Sequence, residues 1–236
     1  MTSSACVLAG DIGGTKVNLG LFVPGKIRPV AQATATFASG SAKSLETIIA
    51  QVLERYPAKI NAACFGIAGP VIKGVCRATN LPWVVSEKKL RSRFGWKWVH
   101  LINDLGATAL AVPLLNHREI EALNGVRVRK GQNIGLVAPG TGLGQALLVY
   151  AGSRYWPVAS EGGHADFAPS DESETGLWFF LHKRFGHVSV ERVLSGQGLV
   201  NIYDWLKSLG DFEESSGIKE EMRTSDPARV ISDNAI

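Results

Sequence analysis

The sequence predicts an α/β protein with mixed sheets in two domains, and three observations carry that expectation. Short apolar runs alternate with polar stretches of helical spacing as far as Asn103-Asp104. Two glycine-rich turns, Asp11-Ile12-Gly13-Gly14-Thr15 and Pro139-Gly140-Thr141-Gly142-Leu143-Gly144, each stand between apolar strand-like runs. Asn103-Asp104 closes another such run and precedes helix-compatible sequence, the place where open α/β sheets bind ligands.

In chain order, strands are expected at 5–10, 16–23, 29–36, 61–67 and 97–102. Between the third and fourth, Leu45, Ile48, Ile49, Val52 and Leu53 recur at helical spacing, with Ser44 as cap and Pro57 as stop, which predicts a helix over 44–56. Lys88-Lys89-Leu90-Arg91-Ser92-Arg93 reads as a solvated helix face, since it lacks the interleaved aromatics of a nucleic-acid platform. Ala107 to Val112 reads as a short buried helix ended by Pro113, which sets a domain boundary at 112/113. The expected division is a small α/β domain over 1–112 and part of a larger one over 113–236. In the second, strands flank the other glycine turn, at 133–137 and 146–150. A helix over 173–185 follows, with Asp171, Glu172 and Glu174 at its start and His182, Lys183 and Arg184 at its end. The charged stretch 211–226 reads as an exposed loop, and Asp226 as the cap of a last helix that runs to Ile236 without a C-cap.

Composition narrows the class. A chain of 236 residues at 45% hydrophobic can bury a sizeable core. Its apolar runs break well before the ~20 residues of a membrane span, and Met1 to Cys6 lacks the basic start of a signal peptide. A cytoplasmic protein without membrane or nucleic-acid partners is expected. Cys6, Cys64 and Cys76 form no C-x-x-C pair and read as reduced thiols. The net charge of +4 suits an anionic small substrate.

Glycines without Cβ let the backbone approach a ligand and turn N–H groups outward, which suits phosphate oxygens. Two such turns suggest two grips on one polyphosphate. Asp11 beside the first would repel phosphate unless a cation intervened, which argues for Mg²⁺ held through water. Asp104 is either a helix N-cap or a base for phosphoryl transfer to an alcohol, with Asn103 beside it able to donate and accept. Glu161-Gly162-Gly163-His164 is too glycine-rich for a helical metal motif and suits hydroxyl recognition on a loop. Glu191 follows Ser189 by two residues and by itself reads as a first-turn acid. No G-x-x-x-x-G-K-[ST] loop or protein-kinase motif occurs, and the second glycine turn has the wrong spacing for a dinucleotide fingerprint.

Seven ordered motifs now stand together: Gly10-Asp11-Ile12-Gly13-Gly14-Thr15, Gly66-Ile67-Ala68-Gly69-Pro70, Thr79-Asn80-Leu81-Pro82-Trp83, Ile102-Asn103-Asp104, the second glycine turn, Ser160-Glu161-Gly162-Gly163-His164, and Ser189 to Gly196. In these the chain resembles the bacterial glucokinase family, of the hexokinase-like group in the actin/Hsp70/sugar-kinase superfamily. The resemblance implies a two-domain actin-like ATPase/sugar-kinase (ribonuclease H-like) fold with mixed sheets. It implies ATP-dependent phosphorylation of glucose at its 6-hydroxyl, with ATP and Mg²⁺ as cofactors, and a homodimer. Asp104 would be the catalytic base; Asn80, Asn103, Asp104, Glu161, His164 and Glu191 would bind sugar. Gly10, Asp11, Ile12, Gly13, Gly14, Thr15, Gly140, Thr141 and Gly142 would serve the nucleotide phosphates. No structural zinc is expected. Family members run well past the point matching Ile236, so the resemblance implies a chain truncated at its carboxyl end, with the adenine pocket only partly encoded. A sugar-binding sensor of the same fold, a hexokinase using polyphosphate or ADP, and a hexose other than glucose stay open.

Overall fold

The computed structural model describes residues 6–78, 81–125, 129, 131–211 and 214–235. Eleven strands and seven helices occur among them. In the first part of the chain these are β1 Cys6–Ile12, β2 Lys16–Val23, β3 Val30–Ala38, α1 Leu45–Arg55, β4 Ile60–Ile67, β5 Val71–Ile72, β6 Val75–Arg77, β7 Val84–Ser86, α2 Glu87–Phe94, β8 Trp98–Asn103 and α3 Asp104–Ala111. There follow β9 Ile134–Pro139, β10 Leu143–Ala151, β11 Arg154–Ser160, α4 Glu172–Phe185, α5 Gly196–Leu209, α6 Ser216–Thr224 and α7 Pro227–Asp233.

Grouped by compactness, the chain forms two units: residues 1–133 with 148–159, and residues 134–147 with 160–236. Residues 113–133 and 148–159 thus group with the amino-terminal unit, beyond the sequence-expected boundary at 112/113.

In the first unit a five-stranded sheet runs in the order β3-β2-β1-β4-β8. The β1–β2 and β2–β3 pairs are antiparallel, whereas β1–β4 and β4–β8 are parallel. Alternation along β1 puts Leu8 and Ile12 on one face, where they meet Leu19, Phe65 and the α1 residues Leu45, Ile48, Ile49 and Val52 in one buried cluster. Each of these apolar side chains contributes roughly 1.5–3 kcal/mol on burial. Ser44 caps α1 by accepting the Thr47 N–H at 3.4 Å, and the helix ends before Pro57, as its spacing predicts. The basic run lies on α2, where Lys88, Lys89, Arg91 and Arg93 are exposed around a buried Leu90. Cys64 is half-buried and Cys76 buried, and burial pushes both thiols up, which keeps them protonated.

A three-stranded sheet has the order β11-β10-β9. Gly152 and Ser153, at φ 59° and 68°, make the β10–β11 turn, whose left-handed residues match strand twist. In the second unit, Leu177, Leu181 and Val188 form a smaller buried cluster with Phe167, Ile202 and Trp205 against it.

Three expectations need correction. The charged stretch 211–226 contains helix α6: Lys, Glu, Met and Arg are strong helix formers, Ile218 and Met222 fall four apart, and Arg223 pairs with Glu220 at 3.1 Å. The last helix does end in a cap, because the Asn234 side chain donates to the Val230 carbonyl at 2.9 Å. The N-cap of α3 is Asn103 and not Asp104, which is the first helical residue. Helix α5, with Ser195 as cap and Gly210 as stop, was not among the sequence expectations at all.

Candidate functional site

The first unit gathers its chemistry at the carboxyl ends of parallel strands. Ile12 pairs with Ile67 and Ile67 with Asn103, so Asp11 and Asn103-Asp104 share one end of the sheet, two strand spacings or about 10 Å apart. Asp11 is exposed, and one carboxylate oxygen accepts the Asn18 amide at 3.3 Å; Asn18 in turn accepts the Thr36 hydroxyl at 2.9 Å. A depression of about 360 Å³ opens beside Asp11, Asn18 and Thr36. A larger one of about 580 Å³, lined by Val7, Phe22, Ile27 and Leu114, lies toward the other end of β1 and is too apolar for phosphate or sugar chemistry.

Asn103 aims Asp104. Its Oδ1 accepts the N–H groups of Leu105 and Gly106 at 3.1 and 3.3 Å, and its Nδ2 donates to Asp104 Oδ1 at 2.9 Å and to the Gly69 carbonyl at 3.3 Å. Asp104 Oδ1 also accepts the Leu105 N–H at 3.0 Å, while its Oδ2 accepts no hydrogen bond among the described residues. The half-buried carboxylate is thus anchored at one oxygen and open at the other, as a proton acceptor requires. Gly66 makes room for it: a Cβ there would lie 3.0 Å from Ala107 and 3.6 Å from the Asp104 backbone.

The first glycine turn uses only part of its backbone for itself. Gly13 donates to the Lys16 carbonyl at 2.9 Å, and Ile12 accepts the Ala68 N–H at 3.1 Å, so the Gly13 amide closes the turn. Among the described residues, Gly14 and Thr15 have N–H groups outside any turn bond. Gly10 lines the depression beside Asp11 with its backbone while its Cβ direction points to the core, where a Cβ would meet Leu19 at 2.6 Å and Phe65 at 2.7 Å, and Ile12 is buried. Asn80 lies outside the described residues.

The second unit brings together the other four elements of the reading. Gly140 donates to the Gly142 carbonyl at 2.8 Å and accepts the Gly196 N–H at 2.7 Å, so Thr141 and Gly142 keep the free amides of this turn among the described residues. Glu191 Oε2 accepts the Leu143 N–H at 2.8 Å and occupies the space a Gly142 side chain would fill. Its Oε1 lies 3.9 Å from His164 Nδ1, and His164 Nε2 lies 3.9 Å from Glu161. Glu161 and His164 are exposed, and Glu191 is half-buried.

Local pairing explains the convergence. An isolated bridge joins Asp166 to Ser189, with Phe167 donating to Val188 and Val190 to Ala165, each at 2.9 Å. This lays the Val190–Arg192 turn against the Gly162–His164 turn. Gly163 permits the fit, because a Cβ there would meet the Leu143 carbonyl oxygen. The Glu161-His164-Glu191 group offers charged acceptors and an imidazole to hydroxyls, and no group of three or more such side chains that could hold a metal ion occurs among the described residues.

Sequence reasoning missed Ser39 and Gly196, each of which grips a glycine turn through a backbone carbonyl. The only signal for Ser39 was its place in a small polar cluster at the end of β3. Gly196 ends the Ser189 to Gly196 motif, and nothing in the sequence marks its N–H as a partner of Gly140.

Comparisons with known proteins place the chain. The model of the family described as Glucokinase matches residues 8–236. The glucokinase of Yersinia enterocolitica serotype O:8 is 38% identical over 203 residues, covering 86% of this chain and 62% of that protein. The chain therefore spans about six tenths of the length of the curated relatives it matches. Among solved structures, the glucokinase from an Antarctic psychrotroph superposes with a TM-score of 0.82 at 28% identity, covering 96% of this chain and 74% of that one. The glucokinase of Balamuthia mandrillaris, solved with glucose, has a TM-score of 0.67 at 20% identity, covering 98% of this chain and 72% of that one; at that identity the likeness is one of fold. The fold is that of the actin-like ATPase and sugar-kinase group, with mixed sheets, as the sequence predicts.

Proposed function

The chain belongs to the glucokinase family, and from that premise we propose that it carries the phosphoryl-transfer chemistry of an ATP-dependent glucose kinase, giving glucose 6-phosphate and ADP. The observation that carries this reading is Asp104, held by Asn103 at one oxygen and open at the other, on the same sheet end as Asp11 and the first glycine turn.

Asp104 Oδ2 takes the proton of the 6-hydroxyl as that oxygen attacks the γ-phosphorus; the bond to the β,γ-bridging oxygen breaks and ADP leaves. Glu161, His164 and Glu191 bind sugar hydroxyls. Asn103 reaches one by giving up its long bond to Gly69, and Asn80 is assigned the same role. The free amides of Gly14, Thr15, Thr141 and Gly142 hold phosphate oxygens, whereas Gly13 and Gly140 shape the turns. Asp11, exposed and with an oxygen to spare, fits a Mg²⁺ ion held through water, which would offset phosphate charge. Functionally we divide the chain into a small α/β domain, 1–112, and part of a large one, 113–236. Among the described residues no helix is long and apolar enough to cross a membrane. We assign the protein to the cytoplasm as a homodimer.

A coupled assay with glucose, ATP and Mg²⁺ tests the activity. ADP formation is expected; saturable glucose binding without it would leave a sugar sensor instead. Asp104→Ala should lower kcat at least ~10²-fold while sugar binding survives in part. Near-normal turnover in that variant would refute the base.

A further inference from the structure

Ser39 is fully buried just past the end of β3, in no motif, and both of its hydrogen-bond donors go to the first glycine turn. Its hydroxyl donates to the Gly13 carbonyl at 2.7 Å, and its backbone N–H to the Thr15 carbonyl at 2.9 Å. The peptide before Gly13 is already fixed at both ends, by Ala68 to Ile12 and by Gly13 to Lys16. The peptide between Gly13 and Gly14 has the Ser39 hydroxyl as its anchor.

In a planar trans peptide the carbonyl of one residue and the N–H of the next point in opposite directions. Holding the Gly13 carbonyl toward Ser39 therefore aims the Gly14 N–H away from it, to the open side of the turn. Glycine on both sides makes this peptide easy to flip, and a flip would present a carbonyl where an anion needs a donor. The second turn meets the same need differently: the Gly196 N–H holds the Gly140 carbonyl and so turns the Thr141 N–H outward.

We propose that Ser39 is a positioning residue for polyphosphate, locking the Gly13–Gly14 peptide so that the Gly14 N–H faces a phosphate oxygen. This rests on the reading of that turn as a phosphate grip. The ligand class is a polyphosphate anion, with the Ser39 hydroxyl acting only through the backbone.

The test titrates the chain with Mg²⁺ and inorganic tripolyphosphate, following the ¹H–¹⁵N signals of its glycines, and titrates glucose separately. In the wild type the Gly14 signal should move saturably. In Ser39→Ala the affinity for tripolyphosphate should fall about fivefold, the worth of one lost hydrogen bond, and the Gly14 response should shrink, with glucose affinity unchanged. Ser39→Cys, of similar size but a weak donor, should behave alike and stands in if the alanine variant does not fold. Unchanged tripolyphosphate affinity with a full Gly14 response in either folded variant overturns the role of Ser39 and spares the phosphate reading. A wild-type Gly14 signal that ignores tripolyphosphate overturns both.

Discussion

The two glycine turns reach the same backbone arrangement by different means. In each, the first glycine closes the turn with its own N–H and has its carbonyl held from behind, which leaves the next N–H outward. The first turn is braced by a neutral serine hydroxyl with no other task. The second is braced by a backbone amide and by Glu191, whose other oxygen faces His164 in the proposed sugar-binding group. The first grip can therefore be loosened without touching sugar recognition. The second cannot if the proposed site is right, because the carboxylate that holds the Leu143 amide is then also a sugar ligand.

The largest expected effect separates the packing behind the turns. A Cβ at Gly163 would run into the Leu143 carbonyl, which is backbone and cannot swing aside, so Gly163→Ala should destabilise by about 3 kcal/mol. At Gly10 the obstacles are the Leu19 and Phe65 side chains, which can shift, and Gly10→Ala should cost about 1–2 kcal/mol. Gly140 has open space around its Cβ position, and Gly140→Ala should stay within about 0.5 kcal/mol. Chemical denaturation of the three variants checks the order; a Gly163→Ala protein as stable as Gly140→Ala would mean that the two turns of the second unit are not packed as described.

Next in size is the dual task of Glu191. Glu191→Ala strips the Leu143 N–H of its charged acceptor and should cost about 2 kcal/mol, together with a loss of glucose affinity. Glu191→Gln keeps an oxygen for Leu143, so it should recover most of the stability while glucose binding stays weak. Calorimetric titration with glucose beside a thermal melt reads both. If the glutamine variant regained neither, the carboxylate would not be dividing its oxygens between two tasks.

The same contrast explains what the sequence made legible. Asp11 and Asp104 were readable because each ends an apolar run, and parallel strands carry their carboxyl ends to one side of a sheet. Asn103 was readable as polar but not as the cap, since Asn and Asp both cap helices and only geometry shows which side chain turns back on Leu105 and Gly106. The meeting of Glu191 with His164 depends on one bridge between Asp166 and Ser189, too short to leave a strand pattern. Ser39 was silent because it acts on carbonyls, which every residue has. Helix α6 was misread because charged residues dominate it and its apolar stripe is only Ile218 and Met222, too short a pattern to stand out from a loop.

The smallest effect concerns charge. In the first unit Arg28 pairs with Glu119 at 2.9 Å, and the Asn116 backbone N–H and Arg28 hold the Glu119 carboxyl below its ordinary range. In the second, Lys207 and the Tyr203 hydroxyl both bond Glu214, which is likewise lowered, chiefly by Lys207. A lowered carboxyl stabilises the fold above its unfolded value, ~4.3, and that contribution is lost as pH falls through the folded value, so both units share an acid limb. Tyr203 differs, because burial, followed by its bond to Glu214, pushes its hydroxyl up to about 12. Its contribution is complete below the unfolded value of ~10 and disappears as pH rises toward the folded one. The Arg28 pair has no such limb, since arginine does not titrate there. The thermal midpoint should therefore fall between pH ~10 and ~12 more steeply in the wild type than in Tyr203→Phe, whereas Glu119→Gln should leave that alkaline slope alone. Equal slopes for the wild type and Tyr203→Phe would remove Tyr203 as the source of the difference between the two units.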